Sequence, residues 1–186
     1  MNKILAILFL LLAPLCVWAQ SEDAETLYNE GLELLKAQKY EEAIPVFQKS
    51  LDLGQDDISI QMLSAYGLSK CYAGVDNYTE AIKYGTQLLD NIKLYFDESR
   101  LLYHMTLLNL AKYNEKLGNI QETIRLDTKA LEICKKTLGE EHPDYANSLN
   151  NLAYYYSHID KTEEAIRLCT QAMEIRKKIL CENCRD

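Results

Sequence analysis

Two cysteines near the C-terminus, in the run Cys181-Glu182-Asn183-Cys184, form the spacing in this chain most suggestive of chemistry. In a thiol oxidoreductase such a pair opens a helix, where the positive end of the dipole lowers a thiol pKa and creates a nucleophile. Here the pair trails the C-terminal end of an amphipathic segment with no strand pattern before it, so the dipole has the wrong sign. The pair reads instead as the start of another linker, as the match of Ile179 to Asn183 with Thr137 to Glu141 indicates. In an oxidising compartment Cys181 and Cys184 could still close into a structural disulfide. A zinc site would need a second ligand pair, and His104, His142 and His158 show no matching spacing. Phosphate loops and nucleophile elbows are absent, and the plentiful Asp and Glu read as solvated helix faces. The expectation is therefore no enzyme, no cofactor and no metal, with a thiol redox protein acting through Cys181 and Cys184 as the catalytic rival.

The 13 tyrosines could serve as stacking platforms, but they recur on helical faces and at turns, which fits packing better. A formal net charge of −8 without a clustered Lys/Arg stripe repels phosphate backbones and anionic lipid. Neither nucleic acid nor a membrane surface is an expected partner.

Residues 1–19 read as a signal peptide. Lys3 supplies the positive start, Ile4 to Leu15 the apolar run, and Val17-Trp18-Ala19 a cleavage site after Ala19. A spanning helix needs roughly 20 apolar residues, more than this run offers. Cleavage before Cys16 would make a lipoprotein, but Leu15 stands where that motif wants a small residue. The expected destination is the periplasm or the cell exterior, with no membrane attachment after removal.

Beyond the leader the apolar residues fall at helical spacing. Gly54, Gly118 and Pro143 mark ends and starts, with Pro45 expected in the first turn or so of its helix. Thr162, followed by Glu163 and Glu164, is expected to cap the last helix. The helices come in pairs, in repeats of about 24–57, 62–96, 104–138 and 146–180, with a tail at 181–186. Ala43, Ala81, Thr123 and Ala165, early in each second helix, recur at intervals of 38, 42 and 42 residues. Such periodicity means stacked modules, so one all-α solenoid over residues 22–180 is expected.

The pattern resembles the tetratricopeptide repeat. Gly31, twelve residues before Ala43, and the Ala43-x-x-x-Phe47 spacing match it, as do Tyr40-Glu41-Glu42-Ala43 and Tyr78-Thr79-Glu80-Ala81. Ser69, Ala111 and Ala153 are the small equivalents of Gly31. The last two repeats are similar to the 42-residue type of kinesin light chains, through Leu138 to Asp144 and Ser148 to Ala153. Departures are Thr123 for Ala, Gly85 and Asp127 where an aromatic is usual, and Cys169 at the same place, expected as a small buried hydrophobe.

That resemblance implies a right-handed α-solenoid whose first helices line a concave partner-binding groove. By register the groove residues are Tyr28 and Leu32; Leu63, Tyr66 and Lys70; Met105, Leu108, Asn109 and Lys112; and Asn147, Asn150, Asn151 and Tyr154. Asn amides can hold both the donor and the acceptor of an extended peptide, while Tyr and Leu supply apolar area. The family's carboxylate clamp is not reproduced, because Tyr28, Leu32 and Gly67 replace its Lys and Asn. The implied function is a secreted or periplasmic noncatalytic scaffold for a protein or peptide. The rival is the N-terminal recognition module of a larger enzyme or sensor, such as a caspase-like peptidase or histidine kinase. Apolar residues on the last helix, including Ile166 and Met173, add an expectation of self-association or docking there.

Overall fold

The computed structural model describes residues 24–96 and 101–183. Among these residues there are eight helices and no strand: α1 over residues 24–36, α2 Tyr40–Leu53, α3 Ile58–Gly74, α4 Tyr78–Tyr95, α5 Leu101–Lys116, α6 Ile120–Leu138, α7 Pro143–Ser157 and α8 Thr162–Asn183. The expected signal peptide, with Cys16, lies outside the described residues, as does Cys184. None of the described helices is long and apolar enough to cross a membrane.

The repeat is visible in the backbone. Gln38, Asp76, Gly118 and Asp160, one in each hairpin turn, all adopt positive φ, between 57° and 75°. In each turn the next N–H closes the same bond: Lys39 to the Leu34 carbonyl, Asn77 to Tyr72, Asn119 to Asn114 and Lys161 to Tyr156, at 2.9–3.0 Å. This left-handed residue followed by a return bond satisfies carbonyls that the ending helix leaves orphaned. Two positions later in chain order the second helix has begun, and Ala43, Ala81, Thr123 and Ala165 each donate to the residue four before at 3.0 Å.

The chain divides into two compact units, Met1–Asn91 and Ile92–Asp186. In the first, Phe47 is fully buried between Gly31 and Gly67. A Cβ on Gly31 would come within 2.9 Å of the ring and one on Gly67 within 2.5 Å, so the absent side chains make the ring's space. Burying such a ring contributes about 2–3 kcal/mol. Ser50 ties three helices, its hydroxyl donating to the Ala24 carbonyl at 2.7 Å and pairing with Ser64 at 3.0 Å. Ser69 donates to the Ala81 carbonyl at 2.8 Å, fastening α3 to α4. Tyr72 stacks on Tyr84 with centroids 5.6 Å apart, and Tyr84 donates to Gln48 at 2.7 Å.

In the second unit the core holds Ile124, Cys134, Tyr145, Leu149, Leu152 and Leu168. Thr123 mirrors the Ser69 bond from the other side of the hairpin, donating to the Ala111 carbonyl at 3.3 Å. Its hydroxyl also lies 3.1 Å from the Asn119 carbonyl, so Thr in the Ala place is satisfied although fully buried. Five tyrosines (84, 103, 113, 145 and 155) are buried, as packing requires.

Four local expectations are corrected. Pro45 lies inside α2, past its first turn, on an exposed face where losing one amide donor disturbs no neighbour. Thr162 is the first helical residue of α8, and the preceding Lys161 occupies the cap position. The helix runs on to Asn183, so Cys181 belongs to its last turn and not to a tail. Cys169 is exposed, because among the described residues no element packs over the face of α8 that carries it.

Candidate functional site

None of the thirteen residues assigned to the groove is buried. In the first unit Tyr28 and Leu32 on α1 are half-buried. The Tyr28 ring packs against Phe47 at 6.0 Å, so one of its faces belongs to the core. On α3, Leu63 is exposed and Tyr66 and Lys70 are half-buried, with Tyr66 close enough to Tyr28 to raise its pKa. Burial is the larger cause of that rise.

The second unit carries the more open face. Met105 and Lys112 on α5 are exposed, with Leu108 and Asn109 half-buried between them. On α7, Asn147, Asn150, Asn151 and Tyr154 are all exposed, and their three- and four-residue spacing puts them on one stripe. Tyr154 is 53% exposed, yet its ring is held by Tyr155 edge-on at 5.3 Å and by His158 at 4.3 Å. Asn147 accepts from Arg176 of α8 at 3.1 Å, which orients its amide. The helices carrying this face are joined beneath it, where Tyr155 of α7 hydrogen-bonds Glu115 of α5.

Beneath that face lies a group that sequence reasoning misplaced. Asp127 was read with the solvated acids, but it is 5% exposed. Burial first, and then the charge of Glu115, raises its carboxyl pKa to about 6. Tyr155 is raised as well, by burial and then by Glu115 and Asp127. The available signal was its register: Asp127 occupies the place of the buried Phe47 one unit earlier. His104 on α5 is half-buried, and its buried Nε2 has no hydrogen-bond partner among the described residues. Burial lowers its pKa, and Asp144 opposes that shift. Cys134, also buried, has its thiol pushed up by burial and by Asp144, away from a nucleophile's range.

Cys181 is exposed and its prospective partner Cys184 lies outside the described residues. Among the described residues no group of three or more His, Cys, Asp or Glu is placed to hold a metal ion.

Tetratricopeptide-repeat models match residues 24–57 and 102–178, which together make up more than half the chain. No curated protein sequence matches it. Among solved structures, the chain is similar to the nearly identical TPR-like repeats of a kinesin light chain from Podosopora anserina, with a TM-score of 0.70 at 20% identity over 86% of this chain and 77% of that one. BtubC (BKLC) from P. vanneervenii gives a TM-score of 0.68 at 16% identity over 87% and 72%. MamA from Desulfovibrio magneticus RS-1 gives 0.65 at 18% over 84% and 77%. These likenesses establish a shared all-α solenoid fold. With its four identical turn closures and both repeat matches, the chain belongs to the tetratricopeptide-repeat family.

Proposed function

We propose that this chain is a noncatalytic scaffold, acting in the periplasm or outside the cell, that holds a protein or peptide partner on the open faces of its first helices. The observation that carries the reading is the α7 stripe of Asn147, Asn150, Asn151 and Tyr154, all exposed, as are Met105 and Lys112 of α5 in the same unit. An exposed amide costs nothing in isolation. A row of amides flanked by apolar area is suited to the alternating donors and acceptors of an extended backbone. The face bears Lys112 and no acidic residue among those assigned to it, so a neutral or acidic segment fits better than a basic one.

Its test is capture of partners from the organism's own periplasmic and secreted fractions, using the wild-type chain beside a variant with Asn150→Ala, Asn151→Ala and Tyr154→Ala. All three side chains are exposed, so the variant is expected to keep its helicity and melting temperature while losing a partner that the wild type retains. Equal recovery by both proteins rejects this face. The signal-peptide part of the proposal is read separately, as the mature N-terminus of the exported protein, expected at Gln20.

A further inference from the structure

The helix that carries the asparagine stripe, α7, is capped at its start by a histidine. His142 occupies the cap position with extended backbone, φ −80° and ψ 141°, and its Nδ1 accepts from the Asp144 N–H at 3.2 Å. Its carbonyl takes the next two donors, from Tyr145 at 3.0 Å and Ala146 at 3.3 Å. Pro143, the first helical residue, has no N–H to satisfy. Caps are ordinarily Ser, Thr, Asp or Asn, whose side-chain oxygens accept throughout the neutral range. The start of α3 is of that kind, with Asp57 accepting from Ser59 at 2.8 Å and Ile60 at 3.3 Å. An imidazole nitrogen accepts only while the ring is neutral, and imidazole is the side chain that changes charge between pH 5 and 8. The cap bond therefore requires the ring proton to sit on Nε2.

A second partner for that ring is already in place. The Asp144 carboxylate lies 3.6 Å from the same Nδ1, close enough to form an ion pair once the ring is charged. His104 of α5 also faces Asp144, as does Cys134 of α6, whose thiol is pushed up by burial and stays neutral. The linker ahead of the cap is held separately, Glu140 by Lys135 of α6 and Glu141 by Lys178 of α8. Neither ion pair uses the imidazole, so His142 can exchange partners while the linker keeps its place.

We propose that His142 is a proton-operated cap on α7. A proton from solvent adds to Nδ1, the bond from the Asp144 N–H is lost, and the ring turns to donate to the Asp144 carboxylate. The first turn of α7 is left with an unsatisfied donor and loosens. The helix dipole opposes a positive ring at this end, which adds to the loosening. Asn147, which accepts from Arg176, follows directly on that turn, so the stripe is held most firmly while the ring is neutral. That consequence rests on the reading of α7 as a binding face; the switch itself does not.

The test is an NMR titration of the purified chain between about pH 8 and 5, with no partner present. The Asp144 and Tyr145 amide signals are expected to shift with the same midpoint as the His142 ring protons. Across that midpoint the protection of these amides against hydrogen exchange, corrected for the intrinsic rate, should fall by about threefold to tenfold, the effect of losing a cap. His142→Ser keeps a cap and removes the ring, so the shifts at that midpoint should vanish and the protection should hold at both ends of the range. Asp127, which titrates in the same range, lies by Tyr155 toward the other end of α7 and is retained in that variant. Amides that do not titrate, that follow the His104 ring instead, or that titrate unchanged in His142→Ser overturn the proposal. So does protection that stays constant across the His142 midpoint.

Discussion

A Cβ on Gly67 would lie 2.5 Å from Cζ of Phe47, so the fully buried ring and the bare glycine on the facing helix define one another. The pair sets how closely α3 lies on α2, and it explains why a glycine is kept inside a 17-residue helix despite its low propensity. Gly67→Ala is expected to destabilise the first unit by about 1–3 kcal/mol through overpacking. Phe47→Leu in the same chain should recover part of that loss. Urea denaturation of both single variants and the double variant would measure the coupling, and simple additivity would show that the contact does not link them.

At the equivalent place in the second unit Asp127 makes stability depend on pH. Its carboxyl is raised from 3.8 to about 6, so the folded chain holds the proton that the unfolded chain gives up. The sign follows: no penalty below pH 3.8, stability falling as pH rises to about 6, and the full penalty above. Asp127→Asn is expected to raise stability at pH 7.5 by about 1–3 kcal/mol and to change little at pH 3.5. Thermal melts at the two pH values check this, and equal gains at both would assign the effect to packing and not to charge.

His104 works in the opposite direction. Burial lowers its pKa below 6.5, so the unfolded chain takes up the proton first, and stability is lost as pH falls from about 6.5 toward the lowered value. Its unpaired Nε2 adds a desolvation cost at every pH. His104→Leu is therefore expected to stabilise the second unit by about 1–2 kcal/mol at pH 7, and more at pH 5.5. Titration of the His104 ring protons by NMR gives the independent check.

The hairpin turns offer a test free of side-chain packing. Asp160 is held at φ 57°, which costs a non-glycine residue, whereas Gly118 fills the same place at φ 75° with open space where a Cβ would stand. Asp160→Gly should be neutral to stabilising by about 0.5–1 kcal/mol, and Gly118→Ala destabilising by about 1 kcal/mol. Opposite signs in equilibrium unfolding are the expected result, and a loss in both variants would count against strain at the turn.

Much of this was written in local pattern. The spacing of Ala43, Ala81, Thr123 and Ala165 set the hairpins, and Gly31, Ser69, Ala111 and Ala153 supplied the small residues that meet them; all eight are buried. Helical periodicity also separated the outward stripe at Asn147, Asn150, Asn151 and Tyr154 from the buried Leu149 and Leu152, since residues three or four apart must share a face. What no local pattern could decide was which equivalent positions would be covered. Phe47, Asp127 and Cys169 share a register, yet the first two are buried and the third is exposed. Burial there depends on whether another helix stacks above, a contact between residues distant in sequence. The pKa of Asp127, the orphaned nitrogen of His104 and the exposure of Cys169 on α8 all follow from that stacking, which only the folded arrangement supplies.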